Sequence, residues 1–547
     1  MKKNPFIQGA MIATAGIVFS KMLGILYVIP FYAIIGQQSG ALYGYAYTIY
    51  GVFLNLSSIG IPLAISRLTS EYNTLEQYHL KERTFKIGKT VISVLSVISF
   101  IALIVFAPAI AHMFIGDIKG GNTIEDVTFV IRIIATAVLV VPTLSVTKGY
   151  LQGHKYISAA TASQVIEQAV RVLIIIVGSY VAVKVLGLPT KVGVGIATLG
   201  ATFGGLAAYL YLLLKMHKNK ELLNRVDTVS RETIKVPTRE IVFKILRYAT
   251  PFIFSSLIFS FYDLVDLSTV IKTLVGGLSY PIHEAETVMS IFSTWGSKLN
   301  MIVAAIATGL VTSLIPNITS SFVKNNIVDV RSKINKALQI LLFITVPMTL
   351  GLSLLARPIW TVFYGHSILS STIFQYSVFI ALFSSVITTL NVILQSLNEN
   401  GRMFIYIMTG FFVKIIFNIP LMYSFERIGL HAGYGVVTAT ILGFSTSIVL
   451  ILLRLRKKVD VNYEETIKRF ISIVYSCLIM AAVILAVQLV LPITTEHRLT
   501  ALVLTLLYTL IGSAVYLFVT ARIGLLTGIF GESLVNKILI KLKINKA

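Results

Sequence analysis

From Phe6 to Ile35 the chain runs for thirty residues with a single charge, Lys21, near the middle. At 1.5 Å per residue a helix of that length is about 45 Å long, more than the roughly 30 Å hydrocarbon core of a bilayer. The run is far longer than the apolar region of a secretory signal and has no small-residue cleavage site, so it reads as a retained transmembrane helix. Lys21 lies too deep for its four-carbon stem to reach either surface easily. Charge inside a membrane is expensive, so such a residue usually faces a bundle interior or a watery cavity and meets an anion there.

Apolar runs of this kind recur from one end of the chain to the other, and 56% of the 547 residues are hydrophobic against 13% charged. The fold class is therefore an all-α polytopic membrane protein. Segments bounded by charge or turn residues number fourteen, near 6–35, 42–66, 87–113, 127–150, 157–183, 193–214, 248–274, 287–315, 337–356, 372–395, 403–424, 430–453, 470–492 and 499–521. Loop charge tests that count. With the N-terminus cytoplasmic, thirty-four Lys and Arg fall in the even-numbered connections and the two tails. Seven fall on the other side: Lys119, Lys184, Lys191, Lys272, Arg357, Arg427 and Arg498. One missed or surplus span would scramble that alternation, so fourteen helices with both termini cytoplasmic is the topology expected in a plasma membrane. The net charge of +23 has the same origin and does not point to nucleic acid. A single cysteine, Cys477, excludes an intrachain disulfide and a cysteine metal cluster.

The chain also repeats. Gln152 precedes Arg171 by nineteen residues, and Gln395 precedes Lys414 by the same interval. Each is followed by a Gly-x-Gly opening the next span, Gly193 and Gly195 in one case and Gly433 and Gly435 in the other. Ile61-Pro62 is echoed by Ile315-Pro316. Spans 1–6 and 7–12 thus read as two six-helix copies, and an even number of helices makes them parallel repeats about an axis along the membrane normal. The expected organisation is an N-terminal lobe (1–217), a polar linker (218–239), a C-terminal lobe (240–456), and a region (457–547) with spans 13 and 14 and a basic tail. That tail, over Lys537–Ala547, reads as an anchor on anionic lipid.

Five cations lie more than two residues inside a span, Lys21, Arg132, Arg171, Lys298 and Lys414, against three acids, Glu167, Asp263 and Asp266. Buried charge that is not balanced internally points to a ligand of opposite sign or to water reaching the site. Glu167 stands four residues before Arg171, which predicts an intrahelical pair. Lys414 has Gly410 at the equivalent position and needs a partner from another helix. Arg132 is close enough to a span end to snorkel. Lys298 closes a polar patch, Ser293-Thr294-Trp295-Gly296-Ser297-Lys298, of the kind that lines a cavity. Asp263 and Asp266, a turn apart, could neutralise Lys21 or bind a proton or sodium ion. Arg67, at the cytoplasmic end of span two, reads either as an interfacial anchor or as a binding residue. Pro30 and Pro251, in the first helix of each copy, are the candidates for bending during transport. No phosphate loop, His-Glu-x-x-His or paired histidine site occurs, so neither an enzyme nor a cofactor is expected, coupling by Na+ or H+ apart.

Fourteen spans in two parallel copies plus two, with a basic residue in Phe19-Ser20-Lys21-Met22-Leu23-Gly24, resemble the multidrug/oligosaccharidyl-lipid/polysaccharide flippase superfamily. So do Gly60-Ile61-Pro62-Leu63-Ala64-Ile65-Ser66-Arg67, and Ala307-Thr308-Gly309-Leu310 leading to Leu314-Ile315-Pro316. Within it the chain resembles the Gram-positive polysaccharide-biosynthesis branch, related to lipid II flippases and to a spore-cortex homologue. The resemblance implies a V-shaped, two-lobed transporter whose central cavity is lined by spans 1, 2, 7 and 8. Its basic residues would meet the substrate's pyrophosphate, and spans 13 and 14 would form a groove for the polyprenyl tail. By that resemblance Lys21 matches the first basic position of span one and Lys298 falls beside that of span eight. Tyr27 and Val28 stand where a second base and an acid are usual, and Arg67 has no counterpart in those relatives.

The expected function is a flippase carrying an undecaprenyl-pyrophosphate-linked cell-wall precursor, lipid II, to the outer leaflet by alternating access. Another lipid-linked polysaccharide unit and a cation or drug antiporter are the alternatives. The substrate-binding candidates are Lys21, Arg67, Lys298, Arg171 and Lys414, and the coupling candidates are Asp263, Asp266 and Glu167. The expected partners are the lipid-linked oligosaccharide and the bilayer, with the chain acting as a monomer.

Overall fold

The computed structural model describes residues 19–58, 60–116, 120–154, 156–219, 236–492 and 497–531, with the side chains of 56–58, 157, 251–252, 254–256 and 306–317 set aside. Residues 6–18 of the first apolar run, 220–235 of the polar linker and the basic tail 537–547 lie outside the described residues, as do the side chains of Pro251 and of the 307–316 motif. The described residues contain helices and connections and no strand.

Packing divides the chain into two units, residues 1–295 and 296–547. The first holds α1 (Phe19–Ile35), α2 (Ser39–Ser58), α3 (Gly60–Thr74), α4 (Tyr78–Ile115) and α5 (Ile124–Gly153). It continues with α6 (Ile157–Leu173, extended by π-helical turns to Val185), α7 (Thr190–Lys218), α8 (Thr238–Ile271) and α9 (Ile282–Ser290). The second holds α10 (Gly296–Val323), α11 (Ile327–Leu354), α12 (Ala356–Tyr364), α13 (Ile368–Ser396), α14 (Asn400–Arg427), α15 (Gly433–Val459), α16 (Glu464–Val490), α17 (Arg498–Arg522) and α18 (Leu525–Phe530). Among the described residues, helix occupies each segment read from the sequence as a span. Eleven of the described helical stretches are long and apolar enough to cross a membrane, the remaining three segments being spans one, seven and eight. The duplication boundary expected at 218–239 concerns internal homology, which these packing units do not measure.

Local chemistry sets the helix ends. Thr123 caps α5 reciprocally with Asp126: the Asp126 amide donates to Thr123 Oγ1 and the Thr123 amide to the Asp126 carboxylate, both at 3.1 Å. Pro189, Pro237 and Pro281 each precede a helix, where the missing amide proton costs nothing. Gly36, at a φ of 77°, closes α1. In the first unit α3, α4, α5 and α8 share a core in which Ile61, Ile65, Leu68, Ile92, Val146 and Ile245 are buried. Along α4, Val94, Val97, Ile98, Ile101, Val105 and Phe106 stay exposed, an apolar band that only lipid can cover.

Two features depart from the sequence reading. Lys81, Arg83 and Lys86, which fall between the second and third apolar spans, are part of α4, and Lys81 is 1% exposed with its ammonium 5.0 Å from the Tyr78 ring. A helix does not stop where the hydrocarbon does; it continues while its backbone and one face stay satisfied. The short helix α12 also had no signal of its own, because it lies between two longer apolar runs.

Candidate functional site

The densest buried charge in the first unit centres on Glu167 of α6. Arg171 Nη2 donates to Glu167 Oε1 at 2.6 Å and Lys148 Nζ of α5 to Oε2 at 2.7 Å. The pair expected from the four-residue spacing is present. The second cation, Lys148, is one the sequence count had assigned to the cytoplasmic surface; a long-range contact between α5 and α6 leaves no spacing signal. One carboxylate facing two cations leaves the cluster positive, in keeping with the surplus read from the sequence. The approach of α7 makes it tight: a Cβ on Gly204 would stand 2.5 Å from the Glu167 carbonyl oxygen and one on Gly200 2.9 Å from that of Arg171.

Lys21 lies in the first described turn of α1. Phe19, Met22 and Leu26 are exposed, whereas Lys21 is half-buried on the side that continues into the fully buried Val28. One turn on, a Cβ at Gly24 would meet the amide of Gln168 at 3.4 Å, so α1 rests on α6 beside Glu167. A file of aromatic residues extends from there. Tyr27 and Tyr43 hydroxyls are 3.3 Å apart, Phe31 and Tyr43 rings 5.0 Å, Tyr43 and Tyr47 rings 4.3 Å, and Tyr47 and Tyr50 rings 5.9 Å. Tyr47 and Tyr50 lie within electrostatic reach of Arg171. Tyr27, where a second base is usual, thus brings a hydroxyl and a ring in place of charge.

On α8, Asp266 is 9% exposed and Asp263 is exposed, so the two acids one turn apart occupy different environments. A turn earlier Ser260 accepts a 2.8 Å hydrogen bond from Asn55 Nδ2 of α2. Arg132 is exposed on α5, its Nε donating to the Ile104 carbonyl at 3.4 Å. Arg67, on α3, is exposed with its guanidinium 4.3 Å from the centre of the Tyr248 ring. Glu71, one turn further, pairs with Lys244 of α8 at 2.8 Å.

The second unit carries Lys298 and Lys414. Lys298 is half-buried in the first turn of α10. Lys414 is fully buried, and its ammonium donates at 2.6 Å to Thr440 Oγ1 on α15, with Asn418 equally buried one turn on. The partner expected from another helix is thus a hydroxyl. Its seam is narrow because a Cβ on Gly410 would come within 2.2 Å of the Gly443 carbonyl oxygen.

The same unit contains an apolar groove of about 410 Å³ with walls from α11, α16 and α17, including Phe343, Pro347, Met480, Ile484, Gly512 and Tyr516. Tyr516 spends its hydroxyl on the Phe343 carbonyl at 2.8 Å and Tyr508 spends its own on the Leu491 carbonyl, leaving the walls without free donors from either ring.

Residues 6–322 match the family model described as polysaccharide biosynthesis protein. The lipid II flippase MurJ of Bacillus subtilis (strain 168) is 30% identical over 539 residues, spanning 97% of this chain and 98% of that one. Among solved structures, lipid II flippase MurJ in an inward closed conformation superposes with a TM-score of 0.67 at 17% identity, covering 94% of this chain and 99% of that one. An inward-facing multidrug resistance MATE family transporter of the MOP superfamily gives 0.62 at 15% identity over 82% and 98%.

Proposed function

The chain belongs to the polysaccharide biosynthesis protein family, within the multidrug/oligosaccharidyl-lipid/polysaccharide flippase superfamily, and from that membership we propose that it translocates an undecaprenyl-pyrophosphate-linked cell-wall precursor, lipid II, across the plasma membrane. The observation that carries this reading is the end-to-end match, at 30% identity, to a lipid II flippase. The chemistry of the chain supports it. A diphosphate is the counter-ion that a surplus of intramembrane cations calls for, since an uncompensated charge at mid-membrane costs about 2.5–3.5 kcal/mol. Lys21 and Lys298 are the residues proposed to engage it, with Arg171 and Lys414 setting the positive field of each copy. The apolar groove against α16 and α17 is proposed to take part of the polyprenyl tail. Both termini are placed in the cytoplasm on the strength of loop charge, and the chain is taken to act as a monomer. Asp263 and Asp266 are the proposed sites for a coupling sodium ion or proton.

The antiporter alternative needs acids in excess in the interior, and Glu167, the most engaged of them, is already bridged by two cations. The test is complementation in a bacterium depleted of its own lipid II flippase. Growth that is lost with Lys21→Ala, at equal membrane abundance of the two proteins, is the expected result. Failure of the wild-type chain to support growth despite membrane insertion would move the substrate to another lipid-linked polysaccharide. Full rescue by Lys21→Ala would remove the role given to Lys21.

A further inference from the structure

A cleft of about 590 Å³ opens on the first unit between the last turns of α3 and α5, and its lining includes Ser66, Arg67, Ser70, Glu71 and Gln152. Beside it the two helices pack closely: a Cβ on Gly149 would stand 2.3 Å from the Pro62 carbonyl oxygen and one on Gly153 2.6 Å from that of Ser66. Leu63 and Leu75 contribute apolar wall, and the polar part of the lining is asymmetric in charge. The Glu71 carboxylate is taken by Lys244 at 2.8 Å, and Lys244 also donates to the Tyr72 hydroxyl at 3.2 Å. The Arg67 guanidinium carbon lies 4.3 Å from the centre of the Tyr248 ring, a cation–π contact that uses none of its N–H donors. Among the described residues, no hydrogen bond engages the side chains of Ser66, Ser70 or Gln152.

A guanidinium fork, two hydroxyls and a carboxamide around one opening form a donor set suited to phosphate oxygens, and the one acid in the wall is already neutralised. We propose that this cleft is a phosphate-binding site, receiving a phosphate-bearing lipid headgroup at the membrane face where α3 and α5 end. Arg67 supplies the charge and the fork; Ser66, Ser70 and Gln152 supply neutral donors that orient the group. Naming the substrate's own headgroup as one source rests on the flippase reading above, whereas the binding chemistry does not. The site is separate from Lys21: it lies on α3 and α5, and its charge is presented on the exposed surface.

The test is residue-resolved arginine modification on the full-length chain in phosphatidylcholine nanodiscs. Phenylglyoxal labelling of Arg67 is followed by mass spectrometry, with and without inorganic pyrophosphate. Pyrophosphate is expected to slow labelling of Arg67 at least fivefold and to leave the exposed Arg522 unchanged, while sodium chloride at equal ionic strength protects neither. Ser70→Ala combined with Gln152→Ala should abolish most of that protection at an unaltered Tm. A second arm replaces a third of the phosphatidylcholine with phosphatidylglycerol. Protection without pyrophosphate then assigns the phosphate to anionic bilayer lipid, and protection by pyrophosphate alone assigns it to a pyrophosphate-bearing headgroup. Arg67 labelled at the same rate in every condition overturns the site. Protection in a chain that fails complementation would leave the site standing and remove the lipid II assignment alone.

Discussion

At the scale of single residues, the central question is why a carboxylate is kept among the cations at all. Glu167 accepts from Lys148 and Arg171 at 2.7 and 2.6 Å, and all three side chains are at least four-fifths buried. Removing the carboxylate leaves two cations facing each other with no water to separate them, and breaking a buried ion pair from one side costs about 3–5 kcal/mol. Glu167→Gln is therefore expected to lower the detergent-solubilised Tm by several degrees. Glu167→Gln with Arg171→Gln should recover part of the loss, because one of the two stranded charges goes as well. A double variant no better than the single one would mean that Arg171 is held by something other than Glu167. The Glu167–Arg171 half of this cluster was legible, because helix geometry alone places residues four apart on one face. Lys148 was not: its partner is nineteen residues away on another helix, and only the packing of α5 on α6 decides that they meet. Lys414 shows the same limit. The sequence demanded a partner from elsewhere, but nothing in it singled out the Thr440 hydroxyl.

Between elements, small residues and surface charge decide which helices can touch. The Gly-x-Gly of each copy was visible as a repeat, and both sites prove to be places of close approach. A Cβ on Gly195 would lie 2.8 Å from the Phe129 ring, and one on Gly435 2.4 Å from the Met422 amide nitrogen. At the turn between α13 and α14 the joint is electrostatic. Glu399 receives Arg454 and Lys458 of α15 at 3.0 and 3.1 Å, with Arg402 at 3.7 Å. Burial alone would raise the Glu399 carboxyl, but the hydrogen bonds and charges of Lys458 and Arg454 outweigh it and hold it below the ordinary glutamate value. A carboxyl lowered in the folded state contributes stability that is complete above its unfolded value, about 4.3, and is lost as pH falls through the folded one. The Tm difference between the wild type and Glu399→Gln should accordingly be largest at neutral pH and close as pH falls below the ordinary glutamate value and through the lowered one. A difference that stays constant with pH would show that Glu399 acts by shape and not by charge.

For the molecule as a whole, the expected topology rests on the duplication read from the sequence and on loop charge. Apolar periodicity found where the helices lie, because length and polarity are properties a sequence displays directly. It did not find their ends, as Lys81 shows, because a helix can continue past its apolar stretch and bury a cation in its terminal turns. Two parallel copies of six helices would put loops of the same parity on the same side, and the lopsided distribution of Lys and Arg predicts which side that is. The consequence is open to measurement because the only native thiol, Cys477, is 2% exposed. Cysteines placed one at a time at Asn219 and Asn398 should react with a membrane-impermeant maleimide in inside-out vesicles and resist it in intact cells. Cysteines at Ser279 and Gly429 should do the reverse. Both halves are needed, because a surplus or missing helix leaves the loops before it correct and inverts every loop after it. Asn219 and Ser279 behaving as expected while Asn398 and Gly429 exchange sides would place that error between Ser279 and Asn398. The parallel repeat would then fall, and with it the correspondence between Arg171 and Lys414 as equivalent cations of two copies.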